Sequence, residues 1–389
     1  MYPLAAKTAG FTDSIIRRMT RICLKHNAVN LSQGFPDFDP PKAILDRLAE
    51  VAYEGPHQYA VTWGAQNFRE ALAVKQTRYM GRNINPDTEI VVTCGSTEAM
   101  IAAMLTVTNP GDKVVVFSPF YENYGADAVL SGAEPIYVPL YPPDFTFNPD
   151  ELEAAFKQKP KALVFCNPSN PSGKVFTLDE MEIIADLAKK YDVYIITDEV
   201  YEHIVYAPRR HIYISSLPGM AERTISCSSL SKTYSITGWR IGYMIASPEI
   251  TAVARKVHDF LTIGAAAPLM EAAVVGLTLG DDYYRELLGE YTRKRDLFLK
   301  GLDDLRIAHT VPEGAYYVML DISEFNYADD YRFCEELAEK ARIGAVPGSS
   351  FFKEDVRHLI RLHFAKRDET LLEALNLLEH MRVKMRRKA

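Results

Sequence analysis

The chain has 389 residues, of which 48% are hydrophobic, so it can form one large domain and a smaller one around a substantial core. Its 44 basic and 51 acidic residues give a formal net charge of −7, which argues against a nucleic-acid-binding protein. The five cysteines contain no C-x-x-C pair, which argues against a disulfide framework or a zinc site. The nine histidines show no spacing typical of metal ligands, such as H-E-x-x-H. The sequence also lacks a membrane-spanning apolar run and a signal-peptide pattern, so we expect a reducing, cytoplasmic location and no membrane partner.

Short apolar runs alternate with helical patterns through the middle of the chain. A helix predicted over residues 177–191 begins with a capping box formed by Thr177 and Glu180. This alternation predicts an α/β fold with a mainly parallel mixed sheet that helices cover on both faces. The predicted strands are KVVVF (113–117), PIYVP (135–139), KALVFC (161–166), VYIIT (193–197), TISCS (224–228) and GYMIA (242–246).

The pattern changes near residue 270, where charged helical segments begin. Short strands follow near AYYVMLDIS and HLIRLHFA, which predicts a smaller α+β domain. We therefore expect an N-terminal segment (1–45) that packs with the small domain and a dimer partner, a large domain (46–270) and a small C-terminal domain (271–389).

Polar clusters follow several predicted strands, at the edge where parallel sheets bind ligands. TCGSTEAM (93–100) enters a helix whose free N–H groups attract anions. CNPSNPSG (166–173) holds Asn170 in a rigid loop, and ITDEVYEH carries Asp198 and Tyr201. Each cluster alone is also compatible with a structural turn or a helix cap.

The stretch SSLSKTYSITGWRIGY (228–243) places Lys232 after a predicted strand. No G-x-x-x-x-G frame precedes this lysine, which leaves a Schiff-base lysine or an exposed charge. Together with the other clusters it describes a ligand with a dianionic end, a basic ring nitrogen, a ring oxygen and an aldehyde. Pyridoxal 5′-phosphate has all four features.

Six motifs resemble, in the same order, those of class I aminotransferases of the fold-type-I pyridoxal-phosphate family, and they extend over essentially the whole chain. NLSQGFPDF followed by HQYA is most similar to the kynurenine, glutamine and methionine aminotransferase branch. The resemblance implies a homodimer with shared active sites that uses pyridoxal 5′-phosphate. It also implies a ping-pong transfer of the amino group of an aromatic, methionine-like, glutamine-like or kynurenine-like amino acid to a 2-oxo acid. The motifs are LSQGFPDFDPP, YENYGAD, NPSNPSG, TDEVYEH, SKTYSITGWRIGY and IRLHFAK.

The resemblance implies cofactor-binding roles for individual residues. Lys232 resembles the Schiff-base lysine, and Asp198 resembles the partner that keeps the ring nitrogen protonated. Asn170 and Tyr201 resemble the pair at the ring oxygen, and Tyr121 matches the position whose ring stacks on the cofactor. The residues that resemble the phosphate ligands are Ser96, Thr97, Ser229, Arg240 and, reaching into the neighbouring subunit, Tyr59.

The resemblance also implies a substrate site. Arg361 resembles the arginine that binds the substrate α-carboxylate, with Gly34 and Asn170 beside it. Dicarboxylate-specific relatives use a second arginine, but the comparable stretch LTIGAAAPLM (261–270) has no basic residue. Ile16 occupies a position that is often aromatic in the branch. We therefore expect an apolar, roomy side-chain pocket without a second arginine.

Other functions remain open on the same scaffold. A β-lyase acting on cysteine conjugates or cystathionine, or an aspartate-type aminotransferase, would share the cofactor site. A pyridoxal-phosphate-sensing regulator would carry a DNA-binding segment ahead of the fold, and we expect no room for one before residue 30. A non-enzymatic binding protein would not need Lys232, Asp198, Tyr201 and Arg361 together.

Overall fold

The largest sheet of the protein has seven strands and is mixed. The computed structural model describes residues 2, 4–11 and 13–385, with residues 382 and 383 described in the backbone only. The strands are β1 (Val29–Asn30), β2 (Ile90–Thr93), β3 (Lys113–Ser118), β4 (Glu134–Pro139), β5 (Ala162–Cys166), β6 (Tyr194–Asp198), β7 (Thr224–Ser229), β8 (Gly242–Ile245), β9 (Tyr317–Asp321), β10 (Ile343–Gly344), β11 (Val346–Pro347) and β12 (Leu359–His363).

Helices surround this sheet and build most of the remaining structure. In the described part of the chain every helix is too short or too polar to cross a membrane. The helices are α1 (Ile15–His26), α2 (Lys42–Glu54), α3 (Gln66–Met80), α4 (Ser96–Val107), α5 (Asn123–Leu130), α6 (Pro149–Phe156), α7 (Leu178–Tyr191), α8 (Pro248–Leu261), α9 (Ala267–Leu277), α10 (Asp281–Asp304), α11 (Asp330–Glu336), α12 (Asp368–Glu379) and α13 (Met381–Met385).

The large sheet has the strand order β2-β8-β7-β6-β5-β3-β4. Strand β8 runs antiparallel to both neighbours, and the other pairs are parallel. The predicted mainly parallel mixed sheet is thereby confirmed, and each of the six predicted strands is present. Strand β2 was not predicted from the sequence.

Helices cover both faces of the sheet because side chains alternate along each strand. Val114 and Val116 point towards the core under α4, α5 and α8. Val115 and Phe117 point towards the core under α6 and α7. The predicted capping box at the start of α7 is also confirmed, with Thr177 and Glu180 each bonding the other's backbone N–H.

The C-terminal part contains a second sheet of order β11-β12-β9, in which both pairs are antiparallel. The two strands predicted there are β9 and β12. Strand β1 pairs in parallel with β10, so the N-terminal segment is joined to the C-terminal part. The division into units at residues 45 and 270 stays a prediction.

A buried ion pair anchors the chain directly after β6. Lys75 Nζ on α3 lies 3.0 Å from Glu202 Oε1, and both side chains are almost fully buried. The Tyr213 and Tyr243 hydroxyls and the Gln76 amide also donate to the Glu202 carboxylate. Burial acts to raise the pKa of Glu202, but the charge of Lys75, the contact with His203 and the Tyr213 hydrogen bond hold it well below its usual range. The turn that follows Asp198 is therefore tied to α3 by a charged contact.

We expect Lys75→Met to lower the free energy of unfolding by about 3–5 kcal/mol, because Glu202 would remain charged and unpaired in the interior. The double variant Lys75→Met/Glu202→Gln should recover most of this loss, since no unpaired charge remains. Urea unfolding at pH 7 measures both. Lys42→Met, which breaks the exposed pair with Asp46, is the control. A Lys75→Met effect no larger than the control effect would contradict the argument.

Candidate active site

A cavity of about 460 Å³ opens at the carboxyl edge of the large sheet. The strands β5, β6 and β7 are parallel and end there at Cys166, Asp198 and Ser229, so their last side chains share one space. The structure brings every predicted site residue except Tyr59 into the wall of this cavity. These residues are Ile16, Gly34, Ser96, Thr97, Tyr121, Asn170, Asp198, Tyr201, Ser229, Lys232, Arg240 and Arg361.

Lys232 presents a half-buried amine to the cavity. Its Nζ donates a hydrogen bond to the Gly34 carbonyl at 3.0 Å. Burial, together with the charges of Arg240 and Arg361, lowers the pKa of Lys232 to about 8, against the charge of Asp198, which raises it. An amine with this pKa is partly deprotonated near neutrality, as a nucleophilic lysine must be.

Gly34 lies where a larger residue has no space. A Cβ at this position would overlap the Tyr317 hydroxyl, and the Gly34 carbonyl already accepts hydrogen bonds from Lys232 and from Tyr316, the latter at 2.9 Å. The backbone of the N-terminal segment therefore forms part of the cavity wall and orients the lysine.

Asp198 is a buried carboxylate at the end of β6. Its Oδ2 accepts a hydrogen bond from the Tyr124 hydroxyl at 2.8 Å, and burial raises its pKa to about 6 although that bond opposes the shift. Asp127 lies one turn after Tyr124 on α5 and is also buried. Its Oδ2 has no hydrogen-bond partner among the described residues, and burial together with Asp198 raises its pKa to about 7. The sequence prediction missed both Tyr124 and Asp127.

The start of α4 and Arg240 form a positive end of the cavity. Gly95 precedes the helix with φ of 80°, and a Cβ there would overlap the Arg240 guanidinium. Glu98 fixes the turn by accepting from the Cys94 N–H at 2.5 Å and contacting His258 at 2.6 Å. A helix N-terminus and an arginine thus meet at one place, which suits a dianion.

Arg361 on β12 is fully buried. Its Nη1 donates to Asn170 Oδ1 at 2.6 Å and its Nη2 to the Ser32 carbonyl at 2.5 Å. The guanidinium also lies 4.3 Å from the Tyr317 ring and 4.7 Å from the Phe351 ring. No carboxylate of the described chain forms an ion pair with it, and its Nε has no partner there. A buried cation with neutral partners favours an incoming anion.

Three features of the cavity wall bear on the sequence predictions. Tyr59 is 84% exposed and lies outside the cavity wall of its own chain, as does the stretch 261–270, so the role predicted for Tyr59 in the neighbouring subunit stays a prediction. Arg17 and Glu122 also line the cavity and were not among the predicted site residues, and the expected pocket without a second substrate-binding arginine stays a prediction. Arg17 directly follows the predicted Ile16 on α1, which is the signal that the sequence analysis passed over.

Comparisons with known proteins place the chain among enzymes. The family described as aminotransferase class I and II matches residues 26–378. Methionine aminotransferase of Escherichia coli (strain K12) is 36% identical over 369 residues, covering 95% of this chain and 96% of that protein. Kynurenine--oxoglutarate transaminase 3 of Rattus norvegicus is 32% identical over 398 residues, covering 94% and 88%. The solved structure of N-succinyldiaminopimelate aminotransferase from Mycobacterium tuberculosis has a TM-score of 0.94 at 34% identity, covering 97% and 99%.

Enzymes of the matched family use pyridoxal 5′-phosphate. The side chains of this cavity fit that cofactor. Lys232 supplies an amine for its aldehyde, Asp198 a carboxylate for its ring nitrogen, and the α4 N-terminus with Arg240 an anion site for its phosphate.

We expect the cofactor-free protein to capture pyridoxal phosphate with a pH midpoint near 8, because only the deprotonated Lys232 amine attacks an aldehyde. Asp198→Asn should lower the midpoint, since Asp198 is the charge that raises the pKa of Lys232. Borohydride trapping at a series of pH values measures capture. A peptide with an acetylated N-terminus and one free lysine side chain corrects for titration of the cofactor itself. A midpoint near that of the free peptide, or an upward shift in Asp198→Asn, would contradict the assignment.

Proposed function

The chain belongs to the aminotransferase class I and II family, and from this premise we propose its donors and the roles of its residues. It transfers the amino group of an aromatic, methionine-like, glutamine-like or kynurenine-like amino acid to a 2-oxo acid. The observation that carries this proposal is that Lys232, Asp198 and the unneutralised Arg361 share one cavity. Amino-group transfer needs an amine that binds the cofactor aldehyde, a carboxylate that pairs with the cofactor ring nitrogen, and a cation that binds the substrate carboxylate.

Arg361 holds the substrate by its α-carboxylate. A guanidinium offers parallel N–H donors that match a carboxylate, and the contacts with Asn170 and Ser32 already fix its plane. Gly34 leaves open the space beside it, because any side chain there would collide with Tyr317. Anchoring one end of the substrate orients the bonds at its Cα for reaction.

Asp198 and Lys232 have the proton-transfer roles in this proposal. When bound, pyridoxal phosphate supplies an aldehyde and a ring that withdraws electrons from Cα. Asp198 keeps the ring nitrogen protonated, since a cation beside a buried carboxylate favours its ionised form. Lys232, with a pKa of about 8, would accept the proton of the substrate Cα at its Nζ and donate it back during the transfer. The residues that hold the cofactor in this proposal are Tyr121, Asn170, Tyr201, Ser96, Thr97, Ser229 and Arg240.

The donor class follows from the cavity wall and from the relatives. Ile16 is 9% exposed and packs in the core that contains Met319 and Phe351, so it gives an apolar surface to the substrate side chain. The curated relatives bear the names of methionine and kynurenine aminotransferases, which supports a donor with a large, weakly polar side chain. Apolar area buried there stabilises the complex by roughly 25 cal/mol per Å².

We expect methionine, phenylalanine, tyrosine or kynurenine to exceed aspartate in kcat/KM by at least about tenfold. The aspartate β-carboxylate, one methylene from Cα, would be buried against Ile16. Adding amino acids one at a time and following the cofactor absorbance gives kcat/KM for each donor half-reaction. Steady-state plots should show the parallel lines of a ping-pong mechanism. Aspartate as the best donor would refute the donor class. Release of ammonia and pyruvate from cysteine conjugates faster than transfer would favour the β-lyase.

We also propose that the enzyme is a cytoplasmic homodimer. Large apolar residues are exposed on two adjoining segments, one around Tyr59 and one around Phe260. His258 Nε2 lies 2.9 Å from the Thr62 carbonyl, which joins these segments into one surface. Exposed apolar surface of this kind is typical of a subunit interface. The five cysteines are free thiols, which is typical of a reducing compartment.

We expect Tyr59→Phe to weaken cofactor retention while the dimer persists. In the dimer the Tyr59 hydroxyl reaches the partner's phosphate, and losing one such hydrogen bond to a charged group costs about 1.5–3 kcal/mol. Dialysis followed by absorbance measures retention, and analytical ultracentrifugation measures mass. Tyr53→Phe, which alters another exposed tyrosine of the same surface, is the control. A fully active monomer would contradict the shared site.

A further inference from the structure

His258 is a fully buried histidine of α8 that lies between two hydrogen-bond acceptors. Its Nδ1 lies 2.6 Å from Glu98 Oε1, and its Nε2 lies 2.9 Å from the Thr62 carbonyl oxygen. A neutral imidazole carries one N–H and can therefore donate to only one of these oxygens. Both contacts are satisfied together when the ring holds two protons and carries a positive charge.

Glu98 is the acceptor in its pair with His258 rather than a protonated donor. Its Oε1 also accepts from the Thr262 hydroxyl at 2.6 Å, and its Oε2 accepts from the Cys94 N–H at 2.5 Å. Burial acts to raise the pKa of Glu98, but the hydrogen bonds from His258, Thr262 and the Cys94 N–H hold it below its usual value. A carboxylate that receives three donors favours its ionised form, so the proton of the pair belongs to the ring.

The groups that face His258 favour this charged state. Glu98 faces it from α4, Asp259 follows it on α8, and the loop on its other side presents the Thr62 carbonyl oxygen. Cys94, directly after β2, contacts Glu98, and burial together with the charge of Glu98 raises the pKa of its thiol. Burial acts to lower the pKa of His258, but the hydrogen bond and charge of Glu98 raise it above its usual value. The pair is therefore ionised on both sides near neutrality.

The ring joins two parts of the chain that have proposed roles in phosphate binding. On one side, Glu98 accepts from the Cys94 N–H and so fixes the turn before α4, whose free N–H groups form the anion site. On the other side, Thr62 lies in the same irregular segment as Tyr59, which we call the Tyr59 segment (57–64). Loss of one proton from His258 would break one of the two hydrogen bonds and separate these parts.

We propose that His258 is a positioning residue for the cofactor phosphate, which acts as an imidazolium through Glu98 on the turn before α4 and through Thr62 on the Tyr59 segment. The inference rests on the proposed function, in which that turn and Tyr59 bind phosphate. A neutral ring would aim a lone pair at a carboxylate or carbonyl oxygen, leaving that contact unsatisfied. Since the pKa of His258 is raised in the folded chain, its contribution is present at lower pH and is lost as the pH rises through that pKa.

Nuclear magnetic resonance of the holoenzyme containing 15N-labelled histidine tests the charge directly. We expect both ring nitrogens of His258 to carry protons at pH 7, because each faces an acceptor. The variant Glu98→Gln/His258→Gln leaves no unpaired charge in the interior and identifies the His258 signals by their absence. A ring with only one protonated nitrogen at pH 7 would overturn the proposal.

The ratio of the dissociation constants of pyridoxal and pyridoxal phosphate isolates the phosphate contribution, because both ligands offer the same aldehyde to Lys232. Absorbance titration of the cofactor-free protein measures both constants. We expect His258→Gln to lower the ratio roughly 10-fold, the effect of losing a charge-assisted hydrogen bond. Over the pH range in which His258 loses its proton, the ratio should fall more in the wild type than in His258→Gln. His380→Gln, which alters an exposed histidine at the end of α12, is the control and should leave the ratio unchanged.

The outcomes separate this inference from the function on which it rests. An unchanged ratio in His258→Gln, or equal weakening of both ligands, would overturn the positioning role. If His258→Gln does not fold, the double variant with Glu98→Gln takes its place, and the same fall is expected. Non-additive effects of Tyr59→Phe and His258→Gln on the ratio would support action through the Tyr59 segment, whereas additive effects would overturn that link. If the wild-type protein captures neither aldehyde, the proposed function itself fails.

Discussion

The buried positive charge of Arg361 is the constraint on which the arrangement of the site depends. Removing a guanidinium from water costs several kcal/mol, and here only neutral oxygens and aromatic rings offset that cost. Those oxygens come from Asn170, after β5, and from Ser32, in the N-terminal segment. One cation therefore holds together three parts of the chain that are far apart in sequence. The same unbalanced charge would favour a carboxylate in the cavity, as the proposed role of Arg361 requires.

The site separates its charges along the cavity. Positive groups lie at Arg361 and where Arg240 meets the start of α4, whereas Asp198 and Asp127 make the region under α5 acidic. Two buried carboxyl groups in one region disfavour double ionisation, which agrees with the raised pKa values of both and favours a protonated Asp127. Burial and the charges of Arg240 and Arg361 lower the pKa of Lys232, whereas Asp198 raises it. The result is a pKa of about 8.

The residues that the sequence predicted correctly share a local cause. Asp198 and Ser229 end short apolar strands, and parallel strands bring such ends to one edge whatever the rest of the fold does. Tyr124 and Asp127 were missed because their position on α5 has meaning only once that helix packs beside β6. Arg17 was missed because an arginine beside a buried isoleucine is the normal pattern of an amphipathic helix. The role proposed for Tyr59 involves a second chain, which no pattern within one sequence describes.

One wall of the cavity carries an apolar and a charged residue side by side because of the pitch of α1. Consecutive residues of an α-helix point about 100° apart, so Ile16 enters the core while Arg17 remains at the exposed rim of the same cavity. The apolar and the charged surfaces are thus adjacent but differently hydrated. The Ser14 cap and its bond to Glu122 keep this helical turn in place against the cofactor side of the cavity.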